Sequence, residues 1–420
     1  MASGIFKNRK MKTLNILFFL SFLSAALFSC NFTASEAPDG RRQTIEIPKL
    51  LDRHPALRQD KEWETVQNYY VKYRQKLVLN PLDDEARLAL AQLFINEARI
   101  TGEHGHYYPA GLQVLDGIAL EKADKDIRFR ALSTMAGIQL SLHDFSAALE
   151  TAEQAVAINP YNAQIYGALV DANVELGRYE QAVAMADKMV SIRPDLRSYA
   201  RVSYLREIHG QVEGAIEAME MAVAAGYPTY EETAWARLTL GKLYENYGSP
   251  EVAEQQYRAI LAERPDYPFA IAALASLSAD NQDYAEAEQM LKQACQIIPE
   301  YSFYETLAHI YQETGRQEDF NQTMETLWPM LKEDTESGHN MDLEYAKLYS
   351  DLLGDQDKAL EYAVKEYQKR PDNIDVNQVL ASIYQRRGDP SAAARYLEVA
   401  TRTHSRQPGL MKLQQLLASR

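Results

Sequence analysis

Apolar positions along this chain recur at the three- and four-residue spacing of a helix face, in runs that end repeatedly at a proline. Those prolines stand at 160, 194, 228, 265, 299, 371 and 408, at intervals of 34, 34, 37, 34, 72 and 37. The 72 is two units, because the slot near residue 333 lacks its proline, and Pro81 is an earlier stop followed by another double interval. A fixed period of about 34 residues marks a repeat array rather than a set of unrelated domains. The stretches LHDFSAALETAEQAVAINP (142–160) and ELGRYEQAVAMADKMVSIRP (175–194) are two successive copies of one unit, so Gly177, Tyr179 and Ala182 read as packing residues.

One copy, TAWARLTLGKLYENYGSPEVAEQQYRAILAERP (233–265), displays the logic of the unit. Leu240 and Tyr244 are one turn apart and share a face of a first helix. Gly241 lets a partner helix come close, and Gly248 lies where a helix of about fourteen residues must stop and turn. Ala253 is small enough to sit at the crossing of the second helix, Tyr257 fills the gap one turn later, and Pro265 blocks continuation. Leu307, Ala308, Tyr311, Gly315 and Phe320 repeat the pattern, as do Leu380, Ala381, Tyr384, Gly388, Ala393, Leu397 and Ala400.

In spacing and residue type this resembles the tetratricopeptide repeat over roughly residues 60–408. The stretches YARVSYLREIHG (199–210) and TAWARLTLGKLYENYG (233–248) are similar to a widespread group of bacterial tetratricopeptide proteins with no assigned catalytic role. The resemblance implies an all-α fold: an α-solenoid superhelix of tandem helix-turn-helix units, about nine over 59–420, with a C-terminal capping helix. Each unit is expected to touch only its neighbours, so stability should behave as that of a linear array.

The first thirty residues follow another pattern. Lys7, Arg9, Lys10 and Lys12 precede an apolar run at 14–28, and Met11 is an alternative initiator to Met1. The run is short for a membrane span and suits a secretory signal. The ending LFSC resembles a bacterial lipobox through Leu27, Ser29 and Cys30, although Phe28 is unusual there. The expectation is a signal peptide over 1–29, lipidation of Cys30 and a flexible leash over 30–58; an uncleaved anchor and cleavage after SAA at 24–26 remain open. Asn31 is not the aspartate that signals inner-membrane retention in some bacteria, which points to the outer membrane. Whether the body faces the periplasm or the exterior stays open.

Removing residues 1–29 would leave 40 basic and 59 acidic residues, a net charge of −19. A body so acidic has no overall electrostatic attraction for nucleic acid or for an anionic lipid surface. Two cysteines, Cys30 and Cys295, supply neither a disulfide framework nor a thiolate metal site. Cys295 reads as an inert buried thiol.

Motifs for nucleotide loops, HExxH zinc sites, GxSxG nucleophiles and CxxC pairs are missing. The most suggestive cluster is GEHGHYYP (102–109), with Glu103, His104 and His106, for which the plainer reading is a solvated loop between the two helices of the first unit. DNQDY (280–284) reads as an inter-helix turn and KEDTES (332–337) as a solvated loop. No metal or cofactor is expected. The concave face is expected to be lined by first helices, and Arg197, Tyr204, Glu207, Trp235, Lys242 and Glu245 are candidate partner-binding residues there. The resulting expectation is a non-catalytic, lipid-anchored scaffold for a protein partner. The alternative is a lipoprotein capturing a glycan or peptide for an outer-membrane transporter.

Overall fold

The computed structural model describes residues 46–419; the signal segment, Cys30 and the first part of the leash lie outside the described residues. Among the described residues there are twenty α-helices and no strand. Helix α1 (Asp60–Leu79) is followed by the hairpins α2 (Asp84–Thr101)–α3 (His104–Asp116), α4 (Lys125–Ser141)–α5 (Phe145–Ile158) and α6 (Ala163–Glu175)–α7 (Tyr179–Ile192). Next come α8 (Leu196–Ile208)–α9 (Val212–Ala225), α10 (Glu231–Asn246)–α11 (Pro250–Glu263) and α12 (Pro268–Asp280)–α13 (Tyr284–Ile297). The last three are α14 (Tyr301–Glu313)–α15 (Gln317–Glu336), α16 (Asp342–Asp351)–α17 (Gln356–Lys369) and α18 (Ile374–Arg386)–α19 (Pro390–Ala400), closed by α20 (Pro408–Ala418).

Local chemistry sets these boundaries. Asp144, Asp283, Asp355 and Asp389 each accept a hydrogen bond from an amide in the first turn of a second helix. Asn162, Asp195 and Asn373 do the same for first helices. The turn inside each hairpin needs a left-handed residue: Gly177 has φ 73°, while His143 and Gln282 occupy that region without being glycine. At Gly241 an added β-carbon would collide with the ring of fully buried Tyr257. The close crossing expected there is present. The core is a chain of apolar patches between successive hairpins, such as Phe129, Leu132, Leu149, Ile165 and Leu169.

Three expectations are corrected. The described part of the leash, 46–58, is a packed strap: Arg53 is buried and pairs with Glu97 and Glu62. Gln113 donates to Glu46 O, Tyr70 to Pro48 O, and Leu51 N to Tyr107 Oη. KEDTES is not a loop, because α15 runs through to Glu336. The GEHGHYYP loop is only Gly102 and Glu103, since His104 and His106 already lie in the first turn of α3.

The fourth correction concerns the whole array. Turns in the first half of the chain meet linkers in its last third. Gly102 abuts Ile298, where a β-carbon would lie 2.6 Å from Cγ2. Leu142 O accepts from Asn340 N at 3.0 Å, and the His143 ring bonds Asn340 O at 3.1 Å. Glu175 pairs with Arg370, and Ile374 N donates to Tyr179 Oη at 2.9 Å. Gly210 faces His404 O. Each of the first four hairpin turns thus touches the linker that follows the fifth hairpin after it. Successive superhelical turns are clasped along a seam, so units do not touch neighbours alone.

Candidate functional site

The winding of the superhelix shapes a cleft of about 1070 Å³. One wall is α1, through Thr65, Tyr69 and Tyr73 at four-residue spacing. The floor is α2, with Leu88, Gln92, Asn96 and Arg99 along one stripe, continued by Arg130, Ser133 and Thr134 of α4 and Gln164 of α6. The opposite rim, Thr229–Glu232 at the start of α10, is brought over by the winding of the array.

Polar groups in the cleft are positioned by internal bonds. Gln92 Nε2 donates to Asn96 Oδ1 at 3.2 Å, and both carboxamides line the cleft. Arg130 forks onto both carboxylate oxygens of Glu85, at 2.7 and 2.9 Å. Glu231 accepts from Tyr267 Oη at 3.2 Å and stands 3.9 Å from Arg99 across the cleft. The Ser133 and Thr134 hydroxyls both donate to helix carbonyls at 2.8 Å, so they remain acceptors and neither is presented to a base as a nucleophile. The cleft offers apolar patches at Val66, Leu88, Leu93 and Phe129, tyrosine faces, carboxamides, two guanidiniums and several carboxylates, the inventory of a binding surface.

The six residues nominated from sequence lie elsewhere and do not line this cleft. Arg197 is ion-paired with Glu232, at the cleft's rim. Trp235 and Lys242 are exposed on α10. Glu207 accepts from Tyr247 Oη and Glu245 from Tyr257 Oη, and burial raises the pKa of both carboxyls. Tyr204 is 39% exposed, yet burial, then the carboxylates of Asp375 and Glu175, push its hydroxyl pKa well up. Asp375 is in α18, which belongs to the other superhelical turn. The residues missed, Tyr69, Tyr73, Gln92, Asn96 and Tyr230, gave one signal in sequence: carboxamides one helical turn apart on a first helix.

His104 and His106 part company. His106 Nε2 bonds Lys49 O of the strap at 2.8 Å. His104 stacks on Tyr108 and, with His143 and His339, lines a second cavity of about 390 Å³ on the seam. Burial, then His143 and His104, drive the His339 pKa down to about 3; burial, then Glu333 and Glu344, push Asp334 up to about 6. Among the described residues no three His, Cys, Asp or Glu side chains are grouped so as to hold a metal ion. Cys295 is half-buried and its thiol pKa is pushed up to about 12, chiefly by burial.

Two tetratricopeptide repeat family models match residues 139–206 and 238–302. The chain carries tetratricopeptide repeats, and its all-helical solenoid is the fold they build. That fold is typically a non-catalytic scaffold that binds peptide or protein partners. A curated relative, the cellulose synthase 1 operon protein C of Komagataeibacter xylinus, is 28% identical over 186 residues, covering 41% of this chain but only 13% of its own length. Among solved structures, a thermophilic tetratricopeptide protein of Thermus thermophilus aligns at 23% identity and a TM-score of 0.40, over 47% of this chain and 99% of its own. A tetratricopeptide repeat protein of Parabacteroides merdae aligns at 16% identity and a TM-score of 0.35, over 69% and 98%.

Proposed function

We propose that this protein is a non-catalytic scaffold of the bacterial cell envelope, tethered through a lipid on Cys30, most simply in the outer membrane. It holds an extended segment of a partner protein in the cleft between α1, α2, α4 and the start of α10. The observation that carries this is the cleft itself, a concavity of about 1070 Å³ lined by tyrosines, apolar side chains and the Gln92, Asn96 and Gln164 carboxamides, groups that can bond a peptide backbone. The tether would raise the local concentration of the complex without adding a contact. A second reading, capture of a glycan chain, is favoured by the exposed faces of Tyr69 and Tyr230 in the same cleft. The name of the curated relative, an operon protein of a cellulose synthase, suits that reading as well.

The test is site-specific photo-cross-linking in the native host, with the photoreactive residue at Asn96 and, in parallel, at Lys242. A segment of one protein cross-linked from Asn96, whose synthetic peptide then binds the purified full chain and fails to bind Gln92→Ala/Asn96→Ala, supports the scaffold. Cross-links from Lys242 alone would move the site to the α10 face. Calorimetric binding of an oligosaccharide with no peptide binding would put the glycan reading first. Mass spectrometry of the mature N-terminus decides the tether: an unmodified Cys30 refutes it.

A further inference from the structure

Five of the fifteen large apolar side chains exposed among the described residues lie between 69 and 82: Tyr69, Val71, Val78, Leu79 and Leu82. Leu79 is 86% exposed and Leu82 80%, the most exposed large apolar residues on this surface apart from Tyr161, also 80%. Over 65–82 the chain also carries Lys72, Arg74 and Lys76 and no carboxylate, within a protein of net charge −15. The surface where apolar area concentrates is therefore the surface where the sign of charge reverses.

Apart from Tyr69, which lines the cleft, both features lie on the uncovered arc of α1 and the residues just after it. The covered side of α1 is Trp63, Val66, Tyr70, Tyr73 and Leu77. At 3.6 residues per turn, the direction opposite it falls between the Val71–Val78 row and the Lys72–Leu79 row. Arg74 stands at one edge of this arc and Lys76 at the other, so the cations flank the apolar row. Lys72 and Lys76 lie over the Tyr69 and Tyr73 rings, at 5.2–6.0 Å from the ring centres, rather than against carboxylates. The acidic residues that follow are partly committed: Asp83 accepts from Ala86 N and Glu85 pairs with Arg130, leaving Asp84 beside Leu82.

We propose that this face of α1, with Leu82, docks on an anionic lipid surface. Headgroup phosphates would meet Lys72, Arg74 and Lys76, while Val78, Leu79 and Leu82 enter the acyl boundary. Charge selects this occupant over another copy of the chain. Symmetric pairing would set the same three cations against one another. End-to-end stacking would bring them against Arg402, Arg406 and Lys412, where residues 399–419 contain no carboxylate. The inference rests on the envelope location proposed above, although the surface acts through its own side chains and not through the tether. It also qualifies the overall charge argument: a net negative body presents one locally basic edge.

The experiment is hydrogen–deuterium exchange of the full chain on vesicles of phosphatidylcholine alone and with phosphatidylglycerol added. Because the apolar N-terminal run attaches the chain to either vesicle, the readout is the difference in exchange over residues 66–82. Protection on anionic vesicles only, fading at 1 M salt where screening shortens to about 3 Å, is the expected result. The Lys72→Glu/Lys76→Glu variant should lose it at an unchanged melting temperature. Leu79→Ser, which leaves the charges in place, should weaken protection without altering its salt dependence. Equal protection on both vesicles overturns the proposal, as does protection without vesicles that grows with protein concentration, the mark of a second copy. Protection that persists when Cys30 proves unmodified refutes the tether and leaves this surface standing.

Discussion

At Gly241 the ring of Tyr257 fills the place where a β-carbon would go, and Tyr257 cannot retreat because it is fully buried and its hydroxyl is held by Glu245 at 2.6 Å. Gly241→Val should therefore cost about 1–3 kcal/mol through overpacking, read as a fall in the denaturation midpoint at unchanged slope. An unaltered midpoint would contradict the close crossing. This position was legible in the sequence because its partner is only sixteen residues away, inside the same unit. The cleft residues were not legible in that way. Asn96 and Tyr230 are far apart in the chain, and only the winding of the superhelix gives them a common cavity.

Among the elements, the strap over 46–58 depended on one residue that composition concealed. Arg53 is buried with both its Glu97 partner oxygens within 2.8 Å, so the segment is pinned although its sequence lacks helical periodicity. Arg53→Ala leaves the Glu97 carboxylate buried and unpaired, at a cost of about 3–5 kcal/mol. Limited proteolysis should then cut within 46–58 before any helical hairpin; equal resistance to the wild type would show that the strap does not depend on this pair. The seam cavity makes a prediction in pH. Asp334 titrates near 6 when folded, above its unfolded value near 3.8, so the stability it contributes is present below pH 3.8 and lost as pH rises toward 6. Urea melts should show Asp334→Asn matching the wild type below about pH 4 and exceeding it increasingly up to about pH 7. His339 acts the other way: with its folded value near 3, its contribution is present above pH 6.5 and lost as pH falls. The substitution at Asp334 isolates one of these opposed effects.

On the scale of the whole molecule the seam converts an expected linear array into a closed coil. Gly177 is the test point, since it combines a left-handed backbone with direct approach to the Asp372 carbonyl, and Arg402 donates to both carbonyls there. Gly177→Ala should strain the turn and part the seam. Hydrogen exchange should then quicken together around residues 170–180 and 370–376, while α11 and α12 keep their wild-type rates. A change confined to the mutated hairpin and its immediate neighbours would restore the nearest-neighbour description.

The sequence by itself determined what lies within about one period: the hairpins, their caps and turns, the packing glycines and alanines, and hence the repeat fold. Those features rest on contacts between residues a few turns apart, which a 34-residue pattern records directly. Only the tertiary structure decided which turns meet across the seam, where the cleft lies, that Arg53 fastens the N-terminal strap, and that α1 is left with an uncovered basic and apolar face. These follow from a small rotation per unit summed over nine hairpins, and no single copy of the repeat contains that sum.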